Sequence, residues 1–370
     1  MLLNILSFSF LASTWSFILK LLLLIFVLGI IILVHEFGHF IWAKTFKVHI
    51  YEFSIGMGPV IFSHKGKKDK IDYNIRAVPI GGFVSMAGEV YDDDDKIPKK
   101  ALMCNKPWYQ RIVILAAGVI NNFILAIVLL ILYAAIWEGG PTKPQIDYVQ
   151  SGSAAEKAGI KDNDMILAIN GYKVGSWDKA QIVLYYENSK EYDVFKVKHE
   201  DGKIEEIKVI PEIVVDEATK AEREVYGIAI KSADTSNFFK AINYGFAKFG
   251  SIISSMSATI GGLFTGKIAL KALSGPVGIY QVVGTSLSYS FVAAVQYIMY
   301  IIAFLSINVG FINILPFPAF DGGHILFLLI EKIKGSPLNS KFENIAHTIG
   351  FILILLLMFI VTINDIINLF

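Results

Sequence analysis

Three residues near the N-terminus have the types and spacing for metal chemistry: His35, Glu36 and His39, within Ile30-Ile31-Ile32-Leu33-Val34-His35-Glu36-Phe37-Gly38-His39-Phe40. On a helix His35 and His39 stand one turn apart on one face, so both imidazoles can reach one ion. Glu36 lies about 100° round the helix from His35, placed to touch water beside the ion without ligating it. The setting is unusual for such a motif. Leu21 to Val34 carries no charge, and Phe40-Ile41-Trp42 continues the apolar run. An ionisable group at the centre of a bilayer costs roughly 2.5–3.5 kcal/mol on insertion scales, so groups placed there usually carry function. The soluble zinc-protease extension of the motif requires glycine and histidine where this chain has Trp42 and Thr45.

A metal held by two histidines needs a third ligand, and a catalytic one keeps a position open. The candidate is Asp321, which ends the stretch Asn313-Ile314-Leu315-Pro316-Phe317-Pro318-Ala319-Phe320-Asp321-Gly322-Gly323-His324. From Ala272 through Phe320 there is no Asp, Glu, Lys, Arg or His. Prolines in a spanning segment free backbone groups, which is tolerated where those groups line a buried or wet site. His324 is read as structural.

The elements that must position these residues are mostly membrane helices. The 370-residue chain is 54% hydrophobic with a mean hydropathy of +0.56, too apolar for an ordinary soluble enzyme. A net charge of +1 gives no sign of a nucleic-acid partner. The single cysteine, Cys104, excludes an intrachain disulfide and a Cys-rich zinc site. With no basic n-region ahead of Leu11-Ala12-Ser13-Thr14, the N-terminus is read as a span and not a signal peptide.

The predicted order is a first span over 1–42, a polar segment over 43–110, a second span over 111–137 and a polar, strand-rich domain over 141–232. An amphipathic helix over 238–264, a third span over 291–330 and a fourth over 345–367 follow. The 43–110 segment holds twelve Lys and Arg, counting Arg111 at its edge, against eight acids, which places it in the cytoplasm and the N-terminus outside. Lys332, Lys334 and Lys341 place the next polar loop inside as well, so both termini lie outside. Ile71 to Ala77 alternates as a strand, Val78-Pro79-Ile80-Gly81-Gly82 turns, and Phe83 to Met86 returns, giving a β-hairpin over 71–86. Its edge could accept an extended peptide. Tyr91 to Lys96 is an acidic run, Asp92 to Asp95, read as a solvated loop. Gly118 and the pair Asn121-Asn122 are the small and amide residues that mediate helix contact in lipid. In the strand-rich domain, Ser153 to Gly159 reads as a short capped helix, and Val194–His199 with Ile204–Ile210 as a hairpin.

Taken together, His35-Glu36-Phe37-Gly38-His39, Asn313-x-x-Pro316-x-Pro318-x-x-Asp321-Gly322 and Gly152 through Val174 between two spans resemble the site-2 protease family, of the bacterial regulator-of-sigma-E protease type. Pro79-x-Gly81-Gly82-x-Val84 and Leu273-Ser274-Gly275-Pro276-Val277-Gly278-Ile279 extend the likeness over nearly the whole chain. Departures are Phe320 beside Asp321, Gly118-Val119-Ile120-Asn121-Asn122-Phe123 without its usual proline, Ala154 for proline and Asn163 for glycine. The resemblance implies a polytopic α-helical membrane protein with about four transmembrane helices, a cytoplasmic membrane-associated β-hairpin and one extracytoplasmic PDZ-like β-rich domain. It implies a zinc metalloendopeptidase of the bacterial cytoplasmic (inner) membrane, with its active site toward the cytoplasm, cleaving single-span membrane protein substrates. His35, His39 and Asp321 would bind Zn2+, Glu36 would act as general base, and Asn313 would be a second donor or substrate clamp. Tyr73, Ile75, Gly81 and Gly82 are the hairpin residues expected to hold substrate. The PDZ-like domain would contact substrate or a regulator, and the lipid bilayer is the remaining partner. A metal or ion transporter and a catalytically silent scaffold are the rival classes.

Overall fold

The computed structural model describes residues 2–67, 69–89, 97–186, 191–215, 222–270 and 273–367. The acidic run Asp92–Asp95 lies outside the described residues. In chain order the elements are α1 (Leu2–Thr45), β1 (Ile50–Lys65), β2 (Asp72–Met86) and α2 (Trp108–Ile136). Then come β3 (Ile146–Val149), α3 (Ala154–Ala158), β4 (Met165–Ile169), β5 (Tyr172–Lys173), α4 (Trp177–Tyr186), β6 (Asp193–Lys198) and β7 (Ile204–Val209). The chain continues with β8 (Glu212–Val215), β9 (Glu222–Val225), β10 (Ile228–Ile230), α5 (Phe238–Phe264), α6 (Pro276–Thr285), α7 (Phe291–Asn313), α8 (Asp321–Lys334) and α9 (Ser340–Ile367). Two compact units result, Met1–Ala126 with Leu273–Phe370, and Ile127–Ala272.

Among the described residues four helices are long and apolar enough to cross a membrane: Thr14–Thr45, Trp108–Ile136, Phe291–Asn313 and Ser340–Ile367. A span needs about 20 residues at 1.5 Å rise each. Within the expected third segment, 291–330, the span is α7, in keeping with a span from about Phe291 to Ile314, and a separate helix follows it. Pro316 and Pro318 remove donors and push the residues before them toward extended backbone, so α7 stops at Asn313 and the chain runs irregularly to Phe320. The new helix, α8, has 14 residues, too few to span, and ends at Gly335 in the left-handed region (φ 78°).

The segment after α1 also differs from the expected hairpin. Residues 71–77 and 83–86 are not partners, because the 52–55 stretch of β1 lies between them. Phe53 pairs with both Tyr73 and Val84, and Ile55 with both Ile75 and Gly82. The 60–65 stretch pairs on the far side of 72–76. The antiparallel order is therefore 60–65, 72–76, 52–55, 82–86, and among the described residues the last stretch has no second strand partner. Gly56 and Gly58 (φ 89° and 81°) make the bend that turns β1 back on itself. Phe40, Phe53, Ile50, Val84, Met86, Ile114 and Leu328 form a core that joins the end of α1 to this sheet, α2 and α8.

The motif Ser274-Gly275-Pro276-Val277-Gly278 has a packing role. The backbone N–H groups of Gly275 and Gly278 both donate to Asp365 Oδ2 at 2.9 Å, tying the start of α6 to the end of α9.

The second unit is built on the four-stranded sheet β5-β4-β6-β7, with β3 paired to β10 and β8 to β9. Phe195, Val197, Ile166 and Ile169 fill its core, each fully buried. The sequence Gly152-Ser153-Ala154-Ala155-Glu156 caps α3 reciprocally: Ser153 Oγ accepts from the Glu156 N–H, and Glu156 Oε2 from the Gly152 N–H. Asn163 adopts φ 64°, a left-handed conformation that asparagine tolerates better than most side chains.

Candidate functional site

His35 and His39 lie on α1, 8% and 7% exposed, in a helix otherwise made for hydrocarbon. What holds their rings is α2. Gly38 lets α2 approach: a Cβ there would lie 2.4 Å from the Ala117 carbonyl oxygen. Gly118 does the same from the other side, since its Cβ would lie 2.4 Å from His39 Nε2 and 2.7 Å from His35 Nε2. His39 Nδ1 donates to the Ile114 carbonyl at 2.8 Å, which in a neutral ring leaves the lone pair on Nε2.

His35 Nδ1 faces the Asn122 side-chain amide at 3.3 Å. Asn122 Oδ1 is buried without a hydrogen bond in that orientation. The two amide orientations have the same shape, and turning the group lets Oδ1 accept from Nδ1–H. That satisfies the orphan oxygen and leaves a lone pair on His35 Nε2. The Asn122 carbonyl in turn accepts from Ser306 Oγ of α7 at 2.9 Å. Asn121 Nδ2 donates to the Val34 carbonyl at 3.3 Å, so it serves helix contact.

Asp321, the first residue of α8, completes the set. Its Oδ2 lies 3.1 Å from His35 Nε2 and 3.6 Å from His39 Nε2, and the two Nε2 atoms are 3.3 Å apart. Tetrahedral zinc with bonds of about 2.0–2.1 Å holds its ligands roughly 3.3 Å apart. Oδ2 is buried and makes no hydrogen bond among the described residues. Two imidazole lone pairs and a carboxylate oxygen converging this closely are satisfied by a cation, and the donor set suits zinc. Gly322 and Gly323 allow the approach: a Cβ on either would lie 2.3 Å from a backbone carbonyl oxygen of the 314–317 loop.

Glu36 points toward the edge stretch of β2. The Val84 backbone hydrogen-bonds to its carboxyl, and a Cβ on Gly82 would lie 3.2 Å from Glu36 Cγ. Glu89, not singled out from sequence, accepts from the Met86 backbone on the same edge. Burial pushes its carboxyl above the usual range, opposed by His324 and His39 nearby.

The other expected residues fall elsewhere. Asn313 is the last residue of α7, ahead of the loop that leads to Asp321. Tyr73 is on an inner stretch of the sheet, its hydroxyl donating to Asp69 Oδ2 at 3.0 Å and its ring packed against Phe40 and Phe53. Ile75 shares that inner stretch, half exposed. Gly81 (φ 85°) makes a turn leading into the edge, and Gly82 lies on it beside Glu36. The sheet thus brings Gly82 to the site and leaves Tyr73 in the core. The roles of Asn122 and Ile114 rest on contacts between α1 and α2 that one sequence does not display.

Residues 23–357 match the family model described as peptidase family M50. The putative zinc metalloprotease of Fusobacterium nucleatum is 36% identical, with 94% of this chain and 99% of that protein aligned. The putative zinc metalloprotease of Clostridium acetobutylicum is 34% identical, over 93% and 96% of the two chains. The regulator of sigma-W protease of Bacillus subtilis is 32% identical, over 94% and 98%. With a matching family model over most of its length and full-length relatives of this kind, the chain belongs to peptidase family M50 and is a membrane zinc metalloprotease.

Proposed function

We propose that the protein hydrolyses peptide bonds within or beside transmembrane segments, with zinc held by His35, His39 and Asp321 and with Glu36 as general base. The observation that carries this reading is the convergence of two lone-pair nitrogens and an orphan carboxylate oxygen on a helix of candidate span Thr14–Thr45. Zinc bound there supplies Lewis acidity and brings the pKa of water toward about 7. Glu36 takes a proton from the attacking water and delivers it to the departing amine. The Val84 backbone contact holds the Glu36 carboxyl in place between those two steps. Asn313 is a second donor to the developing oxyanion or a clamp on substrate backbone.

A helical substrate hides its scissile amide in hydrogen bonds, so cleavage needs an unwound segment. The 82–86 edge beside Glu36, which has no second strand partner among the described residues, can receive such a segment as an added strand in exchange for its contacts to Glu36 and Glu89. The β-rich second unit is PDZ-like and extracytoplasmic, contacting substrate or a regulator. The setting is the bacterial inner membrane, both termini outside and the site toward the cytoplasm. One relative is named for regulation of sigma-W, which supports site-2 cleavage of a pre-trimmed anti-sigma factor here, with a signal-peptide remnant as the other substrate type.

The test compares wild type with Glu36→Gln on a single-span substrate in detergent. Cleavage within the span by wild type, lost in the variant while zinc content is kept, is the expected result. Equal cleavage by both would remove Glu36 from the mechanism.

A further inference from the structure

A second set of metal-donor side chains meets where α8 faces α9. His324 lies three residues past Asp321 on α8, and Glu343 and His347 are one turn apart near the start of α9. Their donor atoms all lie within 4.8 Å of one another. Glu343 Oε1 is 3.8 Å from His324 Nδ1 and 3.9 Å from His347 Nε2. Those separations exceed hydrogen-bond length, so the cluster is not held by hydrogen bonds among its members.

Three observations point to a cation. Glu343 is 7% exposed, a carboxylate that burial makes costly without a positive partner. His347 Nε2 is buried and has no hydrogen-bond partner among the described residues. The two imidazoles stack with centroids 3.9 Å apart and planes 22° apart. Stacked this closely, the two rings can turn ring nitrogens toward one ion. The ring edge of Phe327 against His347, at 5.3 Å between centroids, restricts that ring.

We propose that His324, Glu343 and His347 form a second divalent transition-metal site, taking Zn2+ or an ion of similar softness and size. Two imidazoles and one carboxylate are a donor set for such ions, and Glu343 and His347 share the i, i+4 spacing that suits one ion on a helix face. Binding draws the donors, now within 4.8 Å of one another, toward the roughly 3.3 Å of a tetrahedral site, a movement within side-chain rotation. The consequence is mechanical. The ion ties α8 to α9, and α8 begins with Asp321, so occupancy of this site fixes the helix that presents the third donor of the first.

The experiment uses the full-length chain in detergent with its tag removed, in a His35→Ala/His39→Ala background that disables the first centre. Zinc and cobalt content are measured after dialysis against the metal alone. The expected result is about one equivalent per chain, with cobalt absorption of a nitrogen- and oxygen-ligated ion. Adding His347→Ala should weaken binding at least about 100-fold, since loss of outer contacts alone costs 10–100-fold. A folded, monodisperse background variant that holds no metal would overturn the proposal, as would equal binding with and without His347. If the background variant does not fold, wild type and His347→Ala are compared directly. Two equivalents against one support the site, and equal metal content in both overturns it.

Discussion

Gly118→Ala tests whether α2 presses on the metal donors. The added Cβ would lie 2.4 Å from His39 Nε2 and 2.7 Å from His35 Nε2, while ordinary contact begins at 3.4 Å. His39 must then retreat by 1.0 Å (3.4 − 2.4) and His35 by 0.7 Å (3.4 − 2.7), or α2 must back away. Neither is free. The His39 ring is fastened to Ile114 at 2.8 Å, and α2 is seated on α1 through Gly38. Overpacking of this kind costs about 1–3 kcal/mol in stability. A displacement of about 1 Å at a reacting centre costs on the order of 100-fold in rate. Zinc content and cleavage of a single-span substrate are measured on the same preparation, with Gly29→Ala as control because a Cβ there meets nothing within 4 Å. The control should match wild type, and Gly118→Ala should lose most of its turnover and bind zinc more weakly. Wild-type zinc and turnover in Gly118→Ala would show that the imidazoles do not work in the place where α2 holds them.

Three further outcomes follow from other contacts. Asn122→Ala removes the partner of His35 Nδ1 and should weaken zinc binding about 10–100-fold by equilibrium dialysis, whereas Asn122→Asp, which keeps an acceptor, should lose less. In the second unit His199 is held above its usual pKa, first by its hydrogen bond to Asp164 at 2.8 Å and then by Glu205 at 3.3 Å. A raised histidine pKa gives stability that is full below the unfolded value of about 6.5 and is lost as pH rises through the folded value. Hydrogen-exchange protection in the 199–205 loop, corrected for the intrinsic rise of exchange with pH, should therefore fall above about pH 6.5, and His199→Gln should remove that dependence. Asp178→Ala leaves the ammonium of Lys248, whose side chain is 7% exposed, without the carboxylate that it meets at 2.8 Å. That should cost about 3–5 kcal/mol in denaturant unfolding, and adding Lys248→Met should recover most of it.

The chemistry was more legible in the sequence than the path of the chain around it. His35, Glu36 and His39 stand out because their spacing is set by one helix, and Asp321 because prolines and glycines surround it in an uncharged stretch. Gly118 and Asn121-Asn122 could be read as contact residues, but not which ring each would touch, since that depends on how α1 and α2 meet. The sheet misled for a physical reason. Residues 71–77 and 83–86 look like a hairpin because a turn joins them. The 52–55 stretch slips between because Gly56 and Gly58 fold β1 back on itself. Its alternation is broken by those glycines and Pro59, so the pattern on either side falls below recognition. In the 291–330 segment the end of the span near Ile314 is legible, because Pro316 and Pro318 follow it, but the separate helix α8 is not, because apolar composition continues across the break.

Why so many small residues gather at this centre follows from where its proposed donors come from. Two lie on α1, but the third arrives from residue 321, so backbone must be brought against backbone before any ligand geometry exists. Gly38 and Gly118 seat α2 on the imidazoles, and Gly310 receives the Phe123 ring so that α7 seats on α2. Gly322 and Gly323 then let α8 begin against the carbonyls of the loop it leaves, with Asp321 in its first turn, where the helix dipole favours a negative charge. Each glycine removes a collision of 2.3–2.6 Å from one link of that chain. A methyl group at any of these links should therefore act on zinc through packing, although only Gly118 faces the ligand atoms directly. Metal affinity then becomes a readout of helix seating in this unit, and graded losses across Gly38→Ala, Gly118→Ala and Gly310→Ala would separate the links that aim donors from those that only hold helices together.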